Sequence, residues 1–419
     1  MKKIGFVVTA FGAAKGGEYV HCRMIAEHLR PYYDIEILTS TQSDTPEEYP
    51  EGTYQDNEMT IRRFRNLPID ETHHRIHIRQ AKPMRRLRYY LGRLGLLQSI
   101  TSAHPIWKAG KKADERLFMS QYSFKPGLLE YISEHGREYD VLIFFNMYDS
   151  STALGATIVP EKSILIPLAH PTRTLYMPLF SSLFTRVRHI AFNTEAERRM
   201  CRRIFGRHMA PDSVVGTGIE LDPPAEWEQV KTKYGLPDKY VLYLGRITKK
   251  KIGNIIPEFL KYRDTMDPDA KLVLTGQTTK GFRCPNDPSV ILTGYIDSRD
   301  KSALIRNAAV MVNPSVNESL SLLMLEAMAS GTPCLVNGKS EVMRDHCEAS
   351  GAALYYDSSK DFREKLYRMM NDTAFARELG KRGPAYVNNH YDWETITDKL
   401  RNIIEGIDKA DAPNSAPIG

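Results

Sequence analysis

The feature that most constrains the fold is a repeated alternation of short, continuous apolar runs with helix-patterned stretches. KIGFVVTA, DIEILTS, VLIFFN, SILIPLA and HIAFNT form one series; YVLYLG, KLVLTG, VILTGY, VMVNPS and PCLVN form a second. Continuous apolar runs are expected where helices cover both faces of a sheet. Strand and helix in alternation predict parallel, doubly wound α/β sheets. A charged, proline-bearing segment, GTGIELDPPAEWEQVKTKYGLPDKYV, separates the two series. Two Rossmann-like domains are therefore expected, over residues 1–217 and 218–390. A final helix over 391–407 is expected to pack back on the first domain, ahead of a disordered tail over 408–419. A chain of 419 residues also exceeds what one ordinary core supports. Two such sheets facing one another would form a cleft at their strand carboxyl ends, where doubly wound sheets bind ligands.

The opening MKKIGFVVTAFGAAKGG has two readings, a short signal peptide or a buried first strand running into a Gly-rich turn. Its apolar stretch is short, and the strand is the reading adopted. Five scattered cysteines, odd in number and never in a C-x-x-C pair, argue for a reducing, cytoplasmic compartment and against a zinc site or disulfide framework. No window reaches 18 apolar residues, so no membrane-crossing helix is expected. The net charge of +6 is unevenly placed. No acidic residue occurs from His73 to Ala113, while residues 75–112 carry ten lysines and arginines, Arg85, Arg86 and Arg88 among them, interleaved with Tyr89, Tyr90, Leu94, Leu96 and Trp107. Such a stretch suits an anionic membrane surface or an anionic substrate better than nucleic acid, the plain alternative being a solvated helix pair.

The most informative stretch is NPSVNESLSLLMLEAMASGTPCLVNG, where Glu318 and Glu326 bracket seven mostly apolar residues. A carboxylate buried without a partner costs several kcal/mol, so each needs a reason to be there. NPS closes a strand and Gly331-Thr332-Pro333 stops a helix, which predicts a helix from about Leu320 to Ser330 with Glu318 in the loop ahead of it. Eight helical residues separate the carboxylates by about 12 Å and about 80°, too far for a paired acid and base. They suit the ends of an elongated ligand. Between them the free amides of Leu320, Ser321 and Leu322 would stand at the positive end of the helix dipole, a diphosphate site. Hydroxyl acceptors at both ends and a diphosphate site between them describe a nucleotide-sugar. The alternative for a bare E-x7-E is an exposed helix-start acid and a paired surface acid.

ESLSLLMLEAMASGTP resembles the E-x7-E signature of family-4 retaining glycosyltransferases, whose usual form is E-S-F-G-L-x-x-L-E-A-M-A-x-G-x-P. LGRITKKKIG resembles that family's G-R-x-x-x-x-K-G element, with Gly245, Arg246 and Lys251 in register. ILTGYIDSRDKSALIRNAAVMVNPSVNES is similar to the segment that closes over the nucleobase. The likeness is strong over residues 241–336; earlier it rests on the Gly16-Gly17 turn, on His170 after a strand, and on FNTEAERRM. The resemblance implies a GT-B fold and transfer of a sugar from a nucleotide diphosphate, with retained configuration and without metal or other cofactor. It implies Glu318, Arg246, Lys251 and His170 as catalytic and Glu326 on the ribose. Gly245, Gly294, Tyr295, Ser319, Leu320, Ser321, Leu322 and Gly17 would line the donor. The leaving phosphate would take the acceptor proton, so no dedicated base is required. Three positions depart from the pattern: Ile252 and Ser321 replace glycines and Leu320 a phenylalanine. Ser321 could crowd the backbone cradle.

Other signals carry less. Asp267-Pro268-Asp269 precedes a strand instead of following one and reads as a turn. His73, His74 and His77 sit among arginines that would repel a cation. The rival functions are a nucleotide-sugar epimerase of the same architecture and a non-catalytic nucleotide-sugar binder. The expected acceptor is a glycan or lipid-linked hydroxyl in cell-envelope or exopolysaccharide synthesis, with the protein cytoplasmic or peripheral on the inner membrane face.

Overall fold

The computed structural model describes residues 1–12, 16–42, 49–279 and 282–411, with side chains to residue 406. The expected Gly-rich turn falls partly on residues 13–15, and most of the expected tail, residues 412–419, lies outside the described residues. The chain divides into two units, Met1–Thr217 with Trp393–Gly419, and Gly218–Asp392.

The first unit is built on eight strands: β1 (Lys3–Val7), β2 (Asp34–Ser40), β3 (Gly52–Asp56), β4 (Met59–Phe64), β5 (Val141–Phe145), β6 (Ser163–Ile166), β7 (His189–Phe192) and β8 (Asp212–Val214). Their order is β3-β4-β2-β1-β5-β6-β7-β8. All pairings are parallel except β3 with β4. The central strands are apolar throughout because helices bury both faces; every residue of β5 is buried. The β3–β4 hairpin turns at Asn57 and Glu58, both at positive φ (49° and 60°), the geometry of a two-residue type I′ turn made here without glycine.

The closing helix, Trp393–Asp411, runs four residues further than the expected 407. Ile396, Leu400 and Ile404 enter the core formed by β1, β2 and the helix Gly17–Leu29. Burying each such side chain is worth about 1.5–3 kcal/mol. Trp393 stacks on His28 at 3.7 Å between ring centroids, and Tyr33 donates to Glu405 at 2.8 Å.

The second unit has six strands, β9 (Val241–Leu244), β10 (Leu272–Thr275), β11 (Val290–Gly294), β12 (Val310–Asn313), β13 (Cys334–Asn337) and β14 (Ala353–Tyr356). They are all parallel and ordered β11-β10-β9-β12-β13-β14. The chain fills one side of β9 and then returns to fill the other, so the switch point lies between β9 and β12. The first sheet reverses in the same way between β1 and β5. Both α/β units therefore have the doubly wound form expected from the apolar runs.

Candidate functional site

In the second unit the loops leaving β9 and β12 meet at the switch point, where doubly wound sheets open to ligands. Gly245 follows β9 at φ 129°, and its amide donates to Thr275 at 3.0 Å. A Cβ on the neighbouring Gly276 would stand 2.0 Å from the Gly245 carbonyl oxygen, so the two backbones touch and only glycine serves. Arg246 is exposed, and its carbonyl accepts from Tyr243 Oη at 3.0 Å. Burial pushes the Tyr243 pKa up, with the Glu318 charge adding to the shift and Arg246 opposing it.

Thr248 caps the short helix Lys249–Ile252 by accepting from the Lys251 amide at 3.1 Å. This turn carries the Lys251 Nζ to 2.7 Å from Glu318 Oε1. Ile252 is buried against the outer core, and the left-handed turn passes to Gly253 (φ 54°), one residue later than the resemblance places its glycine.

The loop after β12 is held at both ends by Asn313. Its Nδ2 donates to Ser321 Oγ at 3.1 Å, and its Oδ1 accepts from the Ser315 amide at 3.0 Å. The helix begins at Leu322 instead of Leu320, with Ser321 as its cap residue at φ 68°. Leu320 is correspondingly a core side chain, 3% exposed, and its carbonyl accepts from His346 Nε2 at 3.0 Å. Its amide is therefore not part of the helix start. The first-turn amides without an acceptor among the described residues are those of Leu322 and Leu323. Ser319 lies in the loop just ahead of them. Burial pushes His346 down to about 4, so its ring is neutral, donating to Leu320 and accepting from Tyr386 Oη at 3.0 Å.

Glu326, in the second turn of the helix Leu322–Ala329, pairs with a different cation, Lys301, at 2.7 Å. That contact is in ion-pair range without hydrogen-bond alignment, and Glu326 Oε2 is otherwise unpartnered. Gly294 ends β11 at φ 73°, accepting from the Gly276 amide, and Tyr295 beside it is 57% exposed. The structure thus brings Lys251 onto Glu318 and sets Gly245, Arg246, Gly294 and Tyr295 along one edge of the sheet. It gives Glu326 a separate partner.

In the first unit Gly17 is exposed at the start of its helix, and a Cβ there would meet nothing within 4 Å. His170 follows β6, with its ring tilted on Tyr148 at 4.8 Å and its Nδ1 3.3 Å from the Leu168 carbonyl. Glu197 is a residue that sequence patterning did not single out. Fully buried, it accepts from the amides of Ala169 and Asn193 and so ties the ends of β6 and β7 together beside His170. Asn313 and His346 were also missed. Asn313 was visible only as the last residue of an apolar run, and His346 acts across 26 residues of chain. Asp267-Pro268-Asp269 is a turn, with Asp267 accepting from Tyr262 at 2.8 Å.

Residues 238–372 match the family model described as Glycosyl transferases group 1. Over that stretch the second unit is similar to glycosyltransferase group 1 domains. Every second-unit residue of the candidate site falls within this group 1 match. Among curated relatives, a D-inositol 3-phosphate glycosyltransferase of Nocardiopsis dassonvillei is 25% identical over 249 residues, 54% of this chain and 57% of the relative. An uncharacterized glycosyltransferase of Methanocaldococcus jannaschii is 23% identical over 254 residues, 55% of this chain and 63% of the relative. The match thus spans about 57–63% of those relatives' length. Likeness of fold extends further. Sucrose-phosphate synthase from Thermosynechococcus elongatus superposes with a TM-score of 0.68 at 16% identity, covering 98% of this chain and 100% of that one. HepE from Anabaena, solved in complex with UDP-glucose, gives 0.67 at 14% identity, with 97% and 100% covered. The fold around the group 1 match is accordingly of the GT-B type.

Proposed function

We propose that this protein moves a sugar from a nucleotide-diphosphate donor to a hydroxyl of a glycan, lipid-linked or other polar acceptor. Transfer retains the anomeric configuration and uses no metal. The observation that carries this reading is the Lys251–Glu318 contact at the β9/β12 switch point, beside exposed Arg246. Two cations at the end of β9 offset the charge of a departing diphosphate. Glu318 holds the Lys251 ammonium in place until the donor arrives, then accepts from the sugar hydroxyls. Glu326, one turn into the helix, exchanges Lys301 for the ribose. The amides of Leu322 and Leu323 face the phosphates between them, a role given to Leu320, Ser321 and Leu322 by sequence alone. His170 and Gly17, in the first unit, keep the substrate-contact role that the resemblance implies. The leaving phosphate oxygen takes the acceptor proton as the new glycosidic bond forms on the same face.

HepE's complex with UDP-glucose supports trying UDP-sugars first. Arg246→Ala is expected to lower turnover about a hundredfold or more, the cost of removing one stabiliser of transition-state charge. Turnover is expected to persist in excess EDTA. An unaltered rate for Arg246→Ala, or activity abolished by chelation and restored by manganese, would overturn the reading. Envelope or exopolysaccharide synthesis at an anionic membrane face is part of the proposal, and rests on the basic helix Glu71–Arg93.

A further inference from the structure

Two arginines of the first unit line a cavity of about 490 Å³ against the β3–β4 hairpin, beside Gly12 in the loop after β1. Arg63, in β4, is 6% exposed. Its guanidinium donates to the Phe11 carbonyl from both Nη atoms and to the Ser40 carbonyl, each at 3.1 Å. It lies 3.9 Å from the centre of the Tyr49 ring. Among the described residues no carboxylate comes within ion-pair range of it. Carbonyls satisfy its N–H groups, and the one described carboxylate that acts on its charge, Asp56 across the cavity, does so beyond ion-pair range, so the buried charge is only partly offset. Arg23 faces the same cavity. It donates to the Gly12 carbonyl at 3.1 Å and is held only loosely by acids, 3.9 Å from Asp56 and 3.7 Å from Glu27. The floor is fitted to this contact. A Cβ on Gly12 (φ 113°) would stand 2.8 Å from Tyr49 Oη and 3.3 Å from Arg63 Nη2.

We infer that this cavity binds the anionic group of the acceptor, a phosphate or carboxylate carried on a sugar or polyol. The word acceptor rests on the transfer reading above; the anion site does not. An anion here cancels the Arg63 charge and draws Arg23 from Asp56, and the volume lies within the ~300–1,000 Å³ range of small-molecule sites. The competing role for Arg63 is a staple joining the ends of β1 and β2, which would leave binding indifferent to Arg23 and Asp56.

Calorimetry of the full chain with glucose 6-phosphate, glucuronate and glucose separates the two. At least one anion is expected to bind about tenfold or more tighter than glucose, and the tighter of the two assigns the charged group. Arg63 variants put folding at risk, so the test uses surface changes. Arg23→Gln is expected to weaken the anion about tenfold, and Asp56→Asn to tighten it about threefold by releasing Arg23. UDP is expected not to displace the anion. Glucose binding as tightly as both anions, displacement by UDP, or affinities unaltered in both variants would overturn the inference. Arg23-dependent anion binding without transfer from any nucleotide-sugar would sink the transfer reading alone. Transfer to neutral acceptors with no anion binding would sink the anion site alone.

Discussion

Glu318 meets Lys251 across 67 residues of chain, while Glu326 meets Lys301. The two acids of one short motif thus have different partners, and their substitutions are expected to separate. Glu326→Ala weakens bare nucleoside diphosphate and intact donor alike, by about 1.5–3 kcal/mol for a charged hydrogen bond. Glu318→Gln frees Lys251 for the diphosphate, so bare nucleotide binds as well or better while transfer falls. Calorimetry with the nucleotide beside transfer rates checks both, and equal weakening of the nucleotide by the two changes would refute the placement of the donor. Ser321 gives a second test. A non-glycine residue at φ 68° costs about 1–2 kcal/mol, which its bond to Asn313 and the smaller freedom of serine in the unfolded chain offset. Ser321→Gly should therefore leave the melting temperature nearly where it is. Ser321→Val adds a β-branch at positive φ and removes the bond, and is expected to cost about 2–3 kcal/mol. The two acids could be read from residue type and spacing alone. Their lysine partners could not, because nothing local brings residue 251 to 318 or 301 to 326.

Among elements, the helix Glu71–Arg93 presents exposed Ile76, Ile78, Leu87 and Tyr90 together with Arg75, Arg79, Lys82 and Arg86. Leu94 and Leu96 continue the apolar surface beyond its end. Arg88, grouped by sequence with the cations that would meet an anionic surface, does not belong with them. It is fully buried, donating to the Met177 carbonyl at 3.3 Å and lying over Trp107 at 5.0 Å. Each cation at an anionic surface is worth about 1 kcal/mol, so neutralising Arg79, Lys82 and Arg86 should release the protein from phosphatidylserine vesicles at low salt. Wild type that ignores such vesicles would make the face a solvated one. No helix among the described residues is long and apolar enough to cross a membrane. The ten strands legible in the sequence are continuous apolar runs. The other four were not read. β3 (GTYQD) is a polar edge strand, β4 (MTIRRF) alternates with arginines, β8 spans three residues, β14 (ALYY) is a four-residue apolar run on the sheet edge, and the turn joining β3 to β4 lacks the usual glycine. The helix start shifted by two residues because Ser321 takes a left-handed conformation that its residue type does not announce.

Across the whole molecule, burial holds several acids of the first unit protonated. Glu18 is raised to about 7, Asp114 to about 7 and Glu197 to about 8, each chiefly by burial. The folded unit keeps protons that the unfolded chain releases near pH 4, so these acids make stability fall as pH rises toward 8. His21, buried and lowered to about 4, works in the opposite sense but only up to its unfolded value of 6.5. Between about pH 6.5 and 8 the three acids act at up to about 1.4 kcal/mol per pH unit for each, opposed by Lys125, whose ammonium burial makes easier to deprotonate. The first unit's melting temperature is expected to fall over that window. Glu197→Gln should shrink the slope while lowering stability, because an amide cannot accept from both the Ala169 and Asn193 amides. A slope unaffected by that change would place its source elsewhere. The closing helix has a different bearing on the molecule, through the order of synthesis. The chain leaves the first unit at Thr217 and re-enters it at Trp393. At about 5–20 residues per second, a ribosome needs on the order of ten seconds or more to make what lies between. Throughout that interval the seat for Ile396, Leu400 and Ile404 stands open to whatever a nascent chain meets, and the unit begun first is the last to be completed.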